Sequence, residues 1–273
     1  MTALPLSHVG TPEQTIGTDT EALDILYRDE HLIAINKPPG LLVHRSEIDR
    51  HETRFALQML RDQIGQRVYP IHRIDKPTSG VLLFATNPDA ARLTSELFAA
   101  GNVHKTYLAI VRGWCDPEGI IDHALTEERD KYTDRKARTE KPPQPAQTHY
   151  CRLATIELPV CIEKYPQSRY SLVACKPLTG RKHQIRRHMK HISHPIIGDA
   201  KHGRSRHNRY FSDHLDAKRL MLHAADIFLT HPVEKTALHI IAPLDTTWQQ
   251  LLKRFDWQQS VSTLGKIFRI AEV

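Results

Sequence analysis

The sequence predicts an α+β protein, a largely antiparallel mixed sheet flanked by helices and loops. Three observations lead there: short apolar or alternating runs of strand length recur along the chain, few segments between them carry helical spacing, and there is no internal repeat. Asp24-Ile25-Leu26-Tyr27 and Leu32-Ile33-Ala34-Ile35 form a hairpin pattern around Arg28-Asp29-Glu30, and Pro38-Pro39-Gly40 closes the second run. Leu57, Leu60 and Ile64 recur at helical intervals, so a helix is expected over 53–64 with Thr53 as its cap. Gly80 to Ala85 is a buried-strand run. Asn87-Pro88 then supplies a cap and a first-turn proline for a helix reaching about Ala100, with Leu93 and Leu97 on one face. Further strands are expected at 104–111, 148–156, 170–176, 220–229 and 238–241, with a last helix from about Asp245.

Residues 1–22 are polar and lack apolar periodicity, which suggests a flexible tail before one folded unit over 23–273. Within that unit, 122–147 carries dense charges of both signs and ends in Lys141-Pro142-Pro143-Gln144-Pro145, the composition of an exposed insertion. No run approaches the roughly 18 apolar residues of a spanning helix, and the first residues lack a basic start with an apolar stretch. No membrane association is therefore expected, and the cytoplasm is the expected compartment. Cys115, Cys151, Cys161 and Cys175 form no C-x-x-C pair and suit neither a disulfide framework nor a cysteine zinc site. A formal charge of +7 and a pI of about 9.2 favour a polyanionic partner.

Three strings carry chemistry. His72-Arg73-Ile74-Asp75-Lys76-Pro77-Thr78-Ser79-Gly80 places a carboxylate among basic side chains immediately before the buried strand. Cations so placed favour the ionised form, which can act as nucleophile or base. A surface ion-pair cluster closing a turn is the competing reading. Lys105-Thr106-Tyr107-Leu108-Ala109 sets a tyrosine and a lysine on one pleat face of a strand, and such a ring can stack on a base. Thr179 to Lys190 reads as a turn entering a helix whose inward stripe is Ile185, Met189 and Ile192. Arg181, Lys182, Arg187 and Lys190 then flank or face outward as phosphate contacts, while Arg186 can reach a partly buried carboxylate. His183, His188, His191, His194 and His202 match no zinc spacing, so no metal is expected. Nucleotide-binding glycine motifs are also missing.

Taken in order, these strings resemble the RluA-type family of pseudouridine synthases over about 25–231. Asn36 to His44, His72 to Asp75, Lys105 to Ala109, Thr179 to Arg186 and His194-Pro195-Ile196-Ile197-Gly198-Asp199 coincide with family motifs. The resemblance implies the family's catalytic fold with a central RNA-binding cleft. It implies Asp75 as the catalytic aspartate, Tyr107 as the ring stacked on the target base, Arg186 as the partner of Asp75, and Arg73 as a holder of the flipped nucleotide. It also implies chemistry without a cofactor and an RNA substrate, and it points to no particular protein partner. Within the family, His44-Arg45-Ser46, Lys201-His202-Gly203 and Arg219 to Ala224 are similar to a subgroup acting on uridine 65 in the T-arm of tRNA. Ribosomal RNA modification and a noncatalytic RNA-binding module are the alternatives.

Overall fold

The computed structural model describes residues 22–45, 52–127 and 142–262. The tail expected at 1–22 therefore lies, except for its last residue, outside the described residues, as does the centre of the 122–147 stretch. Ten strands form one mixed sheet in the order β1-β2-β4-β9-β5-β8-β7-β6, with β3 beside β4 and β10 beside β9. Every pairing is antiparallel except a short parallel contact between β4 and β9. The expected α+β class is thus the observed one.

The chain enters through the expected hairpin, β1 (Asp24–Arg28) and β2 (Leu32–Lys37). Its turn is fixed by the Asp29 carboxylate, which accepts from the backbone N–H of His31 and of Leu32. Helix α1 spans Ala56–Ile64. The cap expected at Thr53 is not used: extended Phe55 occupies that position without a side-chain bond, and the buried Phe55 and Ala56 fix the start by packing. Strands β3 (Tyr69–Pro70) and β4 (Ser79–Ala85) follow, and every residue of β4 is buried. Helix α2 (Pro88–Ala99) begins as expected, with Asn87 accepting from the Ala90 N–H and proline in its first turn.

The long β5 (Val103–Arg112) leads to β6 (Glu118–Asp122), a strand the sequence did not reveal because only Ile121 of its five residues is buried. Asp122 pairs with Gln147 at the start of β7 (Gln147–Leu158), and Leu125 bridges to Gln144. The described ends of the 122–147 stretch are thus tied to the sheet, with Leu125 and Ala146 buried. After β8 (Ser168–Pro177) come α3 (Gln184–His191) and α4 (Ser205–His214). Helix α4 was also unforeseen: its sequence, SRHNRYFSDH, buries only His207 and Phe211 and leaves no apolar period to read. The chain finishes with β9 (Leu222–Thr230), β10 (Ala237–Ile241), α5 (Thr246–Arg254) and α6 (Gln258–Val261).

Strand β9 changes partners midway. Its first residues meet β4 and its later ones pair with β10, while β5 runs along its other side. The change coincides with a bulge at Ala225, whose carbonyl accepts from the Ala242 N–H instead of joining the β5 ladder. Around this junction the core divides: α3 covers Ala109, Val111 and Val173, whereas Trp248, Leu251 and Phe211 of α5 and α4 cover Leu108, Ile110 and Leu172. No helix among the described residues is long and apolar enough to cross a membrane.

Candidate active site

Asp75 sits in the loop between β3 and β4, where a turn bond runs from the Thr78 N–H to its carbonyl. Lys37 anchors that loop. Its fully buried ammonium donates to the carbonyls of Pro38, Leu41 and Lys76, at 2.7, 2.9 and 3.1 Å, tying the 38–41 turn to the Asp75 loop. Burial, with Arg219 nearby, pulls its pKa down to about 7 against the opposing pull of Asp75.

The basic residues adjacent in sequence do not surround the carboxylate. Half-buried His72 accepts the Leu83 N–H at Nε2 and stacks on Phe98, and desolvation followed by the Lys105 charge lowers its pKa to about 3. Lys76 pairs with Glu52 at 2.7 Å. Arg73 is exposed, with no hydrogen bond or ion pair to its side chain among the described residues. The cation that meets Asp75 comes from α3: Arg186 Nη1 donates to Oδ2 at 2.9 Å. The implied Arg186 to Asp75 pairing is therefore present in the geometry, whereas contact between Arg73 and this cluster is not.

Arg186 grips a second carboxylate more fully. Its Nε and Nη2 reach the two oxygens of Asp199 at 2.7 and 2.9 Å, the two-pronged geometry of a buried pair. Burial opposes the charge on Asp199, but Arg186 and the backbone N–H groups of His202 and Lys201 outweigh it and hold the carboxyl below its ordinary range. Burial likewise opposes charge on Arg186, and the two carboxylates overcome it. One guanidinium thus serves two carboxylates. Asp199 is sealed, with its side chain 0% exposed, whereas that of Asp75 is 21% exposed. Of the two carboxylates, Asp75 is the one open to solvent. Asp199 lies in the His194 to Asp199 string, yet its role could not be inferred before α3 and the 195–199 loop were brought together.

Tyr107, on β5, packs half-buried between two core clusters near the Asp75 charge. Burial, reinforced by that charge, raises its phenol far above the ordinary value, so it remains a proton-bearing ring at neutral pH. Arg181, Lys182 and Lys190 are exposed as expected. Arg187 is half-buried and engaged with the carbonyl and hydroxyl of Thr126. The expected stripe holds, since Ile185 and Met189 are buried and Ile192 packs beside them.

The histidines are divided among different partners. His183 stands at the entrance of α3 in left-handed backbone (φ 56°), with Nε2 at 4.0 Å from Asp75 and Nδ1 at 3.0 Å from His202. His188 is buried against Thr148 and the His123 carbonyl, and His194 meets the Arg112 carbonyl. No cluster of three or more potential metal ligands occurs among the described residues. Ser79 completes the surroundings: its hydroxyl meets His223 at 2.8 Å and accepts from Arg219, which also pairs with Asp245.

A family model described as RNA pseudouridylate synthase matches residues 31–191. The chain is 53% identical to the tRNA pseudouridine synthase C of Yersinia pestis, covering 90% of this chain and 95% of that one. It is 54% identical to the protein of the same name from Pasteurella multocida, covering 86% and 97%. Among solved structures, human RNA Pseudouridylate Synthase Domain Containing 1 superposes with a TM-score of 0.63 at 25% identity, covering 89% of this chain and 98% of the other. With a matched segment longer than half the chain and relatives half-identical over nearly their whole length, this protein belongs to the RNA pseudouridylate synthase family and is an RNA-modifying isomerase.

Proposed function

We propose that this enzyme converts uridine 65 in the T-arm of tRNA to pseudouridine, with Asp75 as the essential carboxylate. The observation that carries the reading is the accessible Asp75 carboxylate, held by an Arg186 that is itself clamped to the buried Asp199. The choice of tRNA rests on the relatives, which bear the name tRNA pseudouridine synthase C; position 65 rests on the subgroup resemblance.

The reaction breaks the bond between N1 of uracil and the ribose, turns the base, and joins C5 to the same ribose carbon. Product and substrate are isomers, so no co-reactant is needed. A carboxylate can assist by attacking the ribose, adding to the uracil ring, or removing a ribose proton. Each route needs an ionised oxygen facing the nucleotide, and a guanidinium shared with Asp199 supplies that without fully neutralising Asp75. The target base must first leave its stack, at a cost of a few kcal/mol. Stacking on Tyr107 offsets part of this, and exposed Arg73, Arg181, Lys182 and Lys190 supply phosphate contacts.

The test is Asp75→Asn, which keeps the side-chain shape and removes the charge. The expected outcome is a folded protein that binds tRNA like the wild type and forms no pseudouridine when the RNA is mapped nucleotide by nucleotide. Substantial turnover by that variant would overturn the assignment of Asp75. Product found in ribosomal RNA instead of tRNA would replace the substrate.

A further inference from the structure

A groove of about 570 Å³ opens at the far end of β5 from Tyr107, between the end of α3 and the first turn of α4. From Tyr107 to Arg112 the strand advances five residues, roughly 17 Å, so the groove is separate from the Asp75 site. Among the residues that line it is an exposed tryptophan held by a hydrogen bond. Trp114 is 44% exposed, yet its indole N–H donates to the Ile156 carbonyl at 3.1 Å, which sets the ring plane. The Arg169 guanidinium lies 4.2 Å from the centre of that ring. Glu157 engages Arg169 at Nε, the inner nitrogen of the guanidinium, at 2.6 Å. On the same rim Tyr165 is 64% exposed, with the Lys164 ammonium 5.8 Å from its ring centre.

The hydrogen bond to Ile156 and the guanidinium of Arg169 hold the indole in place, yet they leave 44% of Trp114 exposed, with apolar ring surface in water. A nucleobase would cover that surface. Aromatic rings and arginine planes are the surfaces on which unpaired bases stack, and nearby cations meet the attached phosphate. The volume falls in the range that holds a small ligand. The carboxylates present, Glu157 and Glu163, are paired with Arg169 and Arg112, which leaves Lys164 and nearby Arg204 as the excess charge. We propose that this groove is a second RNA-binding site, at which an unpaired nucleotide of the substrate stacks on the Trp114–Arg169 platform while the target uridine occupies the Asp75 site. The proposal rests on RNA being the substrate. It makes the groove a determinant of which RNA is held and leaves the chemical step to Asp75.

The chain has three tryptophans, and the other two, Trp248 and Trp257, are 0% and 2% exposed. Trp114 therefore dominates the solvent-quenchable fluorescence. Titrating the full-length Asp75→Asn protein with bacterial tRNA should change that emission and protect it from acrylamide. Trp114→Ala and Tyr165→Ala should each weaken tRNA binding about fivefold to a hundredfold, the range for losing one stacked base. They should raise KM and leave kcat close to wild type, with circular dichroism confirming the fold. Trp114→Phe should retain most of the affinity. Unchanged Trp114 emission and quenching in a protein that demonstrably holds tRNA would overturn the groove and leave the proposed function standing. So would protection that grows with protein concentration in the absence of RNA, which would mean a second copy covers the groove. Failure of the wild type to bind any RNA would overturn both.

Discussion

At the scale of single residues, the trio Asp75, Arg186 and Asp199 joins an accessible carboxylate to a sealed one through a single guanidinium. Truncating Arg186 strands two carboxylates, but they differ: Asp75 can hydrate through its exposed edge, and Asp199 cannot. Breaking a buried ion pair costs about 3–5 kcal/mol because a charge is left without compensation. Arg186→Met should therefore lower stability by that amount, and most of the loss should trace to Asp199. Adding Asp199→Leu to Arg186→Met should recover much of it, although activity stays lost. Urea unfolding of the two single variants and the double variant provides the cycle. Additive losses would mean that the two residues are not coupled.

Among the elements, the parallel contact between β4 and β9 sets the base on which the Asp75 loop stands. Gly80 makes it possible. Its φ is +110°, and a β-carbon placed there would lie 2.1 Å from the Ala224 carbonyl oxygen, a backbone atom that cannot swing aside. Gly80→Ala should cost about 3 kcal/mol or more, since backbone strain alone accounts for 1–3. Gly180, at the entrance to α3, has open space around it and no positive φ, so Gly180→Ala should leave the unfolding midpoint nearly unchanged. Equal effects from the two substitutions would refute the close-approach argument. The elements read most clearly from sequence were those with local signals: the Asp29 turn, the Asn87-Pro88 start of α2 and the continuous apolar run of β4. Strand β6 and α4 escaped notice because each buries too few side chains to print a period, and the start of α1 was misplaced because packing at Phe55 replaced a polar cap.

At the level of the whole molecule, buried histidines make stability depend on acid. His72 and His223 are shifted down to about 3 and about 4, in both cases chiefly by burial, and His188 and His207 move in the same direction. In the unfolded chain these rings titrate near their ordinary value of 6.5. Between pH 6.5 and 4 the unfolded state therefore binds protons that the folded state refuses, and stability falls as pH falls. The slope is about 1.4 kcal/mol per pH unit for each fully shifted ring. Above pH 6.5 the contribution of these groups is flat. Denaturant unfolding at pH 7, 6 and 5 should show the decline, and His223→Asn should remove one ring's share. A profile level across that window would mean that the rings charge inside the fold.

The sequence by itself determined the class of fold, the family, and the identity of Asp75, Tyr107 and Arg186 as candidate site residues. The class depends on local patterns such as alternation within a strand, and the family and the site residues on motifs, a carboxylate just before a buried run and a basic turn entering a helix, that resemble those of a known family in the same order. Tertiary structure alone decided the charge environment. The cations nearest to Asp75 in sequence turn elsewhere, to a core amide and ring, to Glu52 or to solvent, and the one that holds it stands 111 positions away. It also decided that Asp199 takes the larger share of Arg186, and that Lys37 is buried under three carbonyls. Such partners are chosen by which surfaces the folded sheet brings together. Coulomb and hydrogen-bond energies depend on distance through space, which neighbouring positions along a chain do not set.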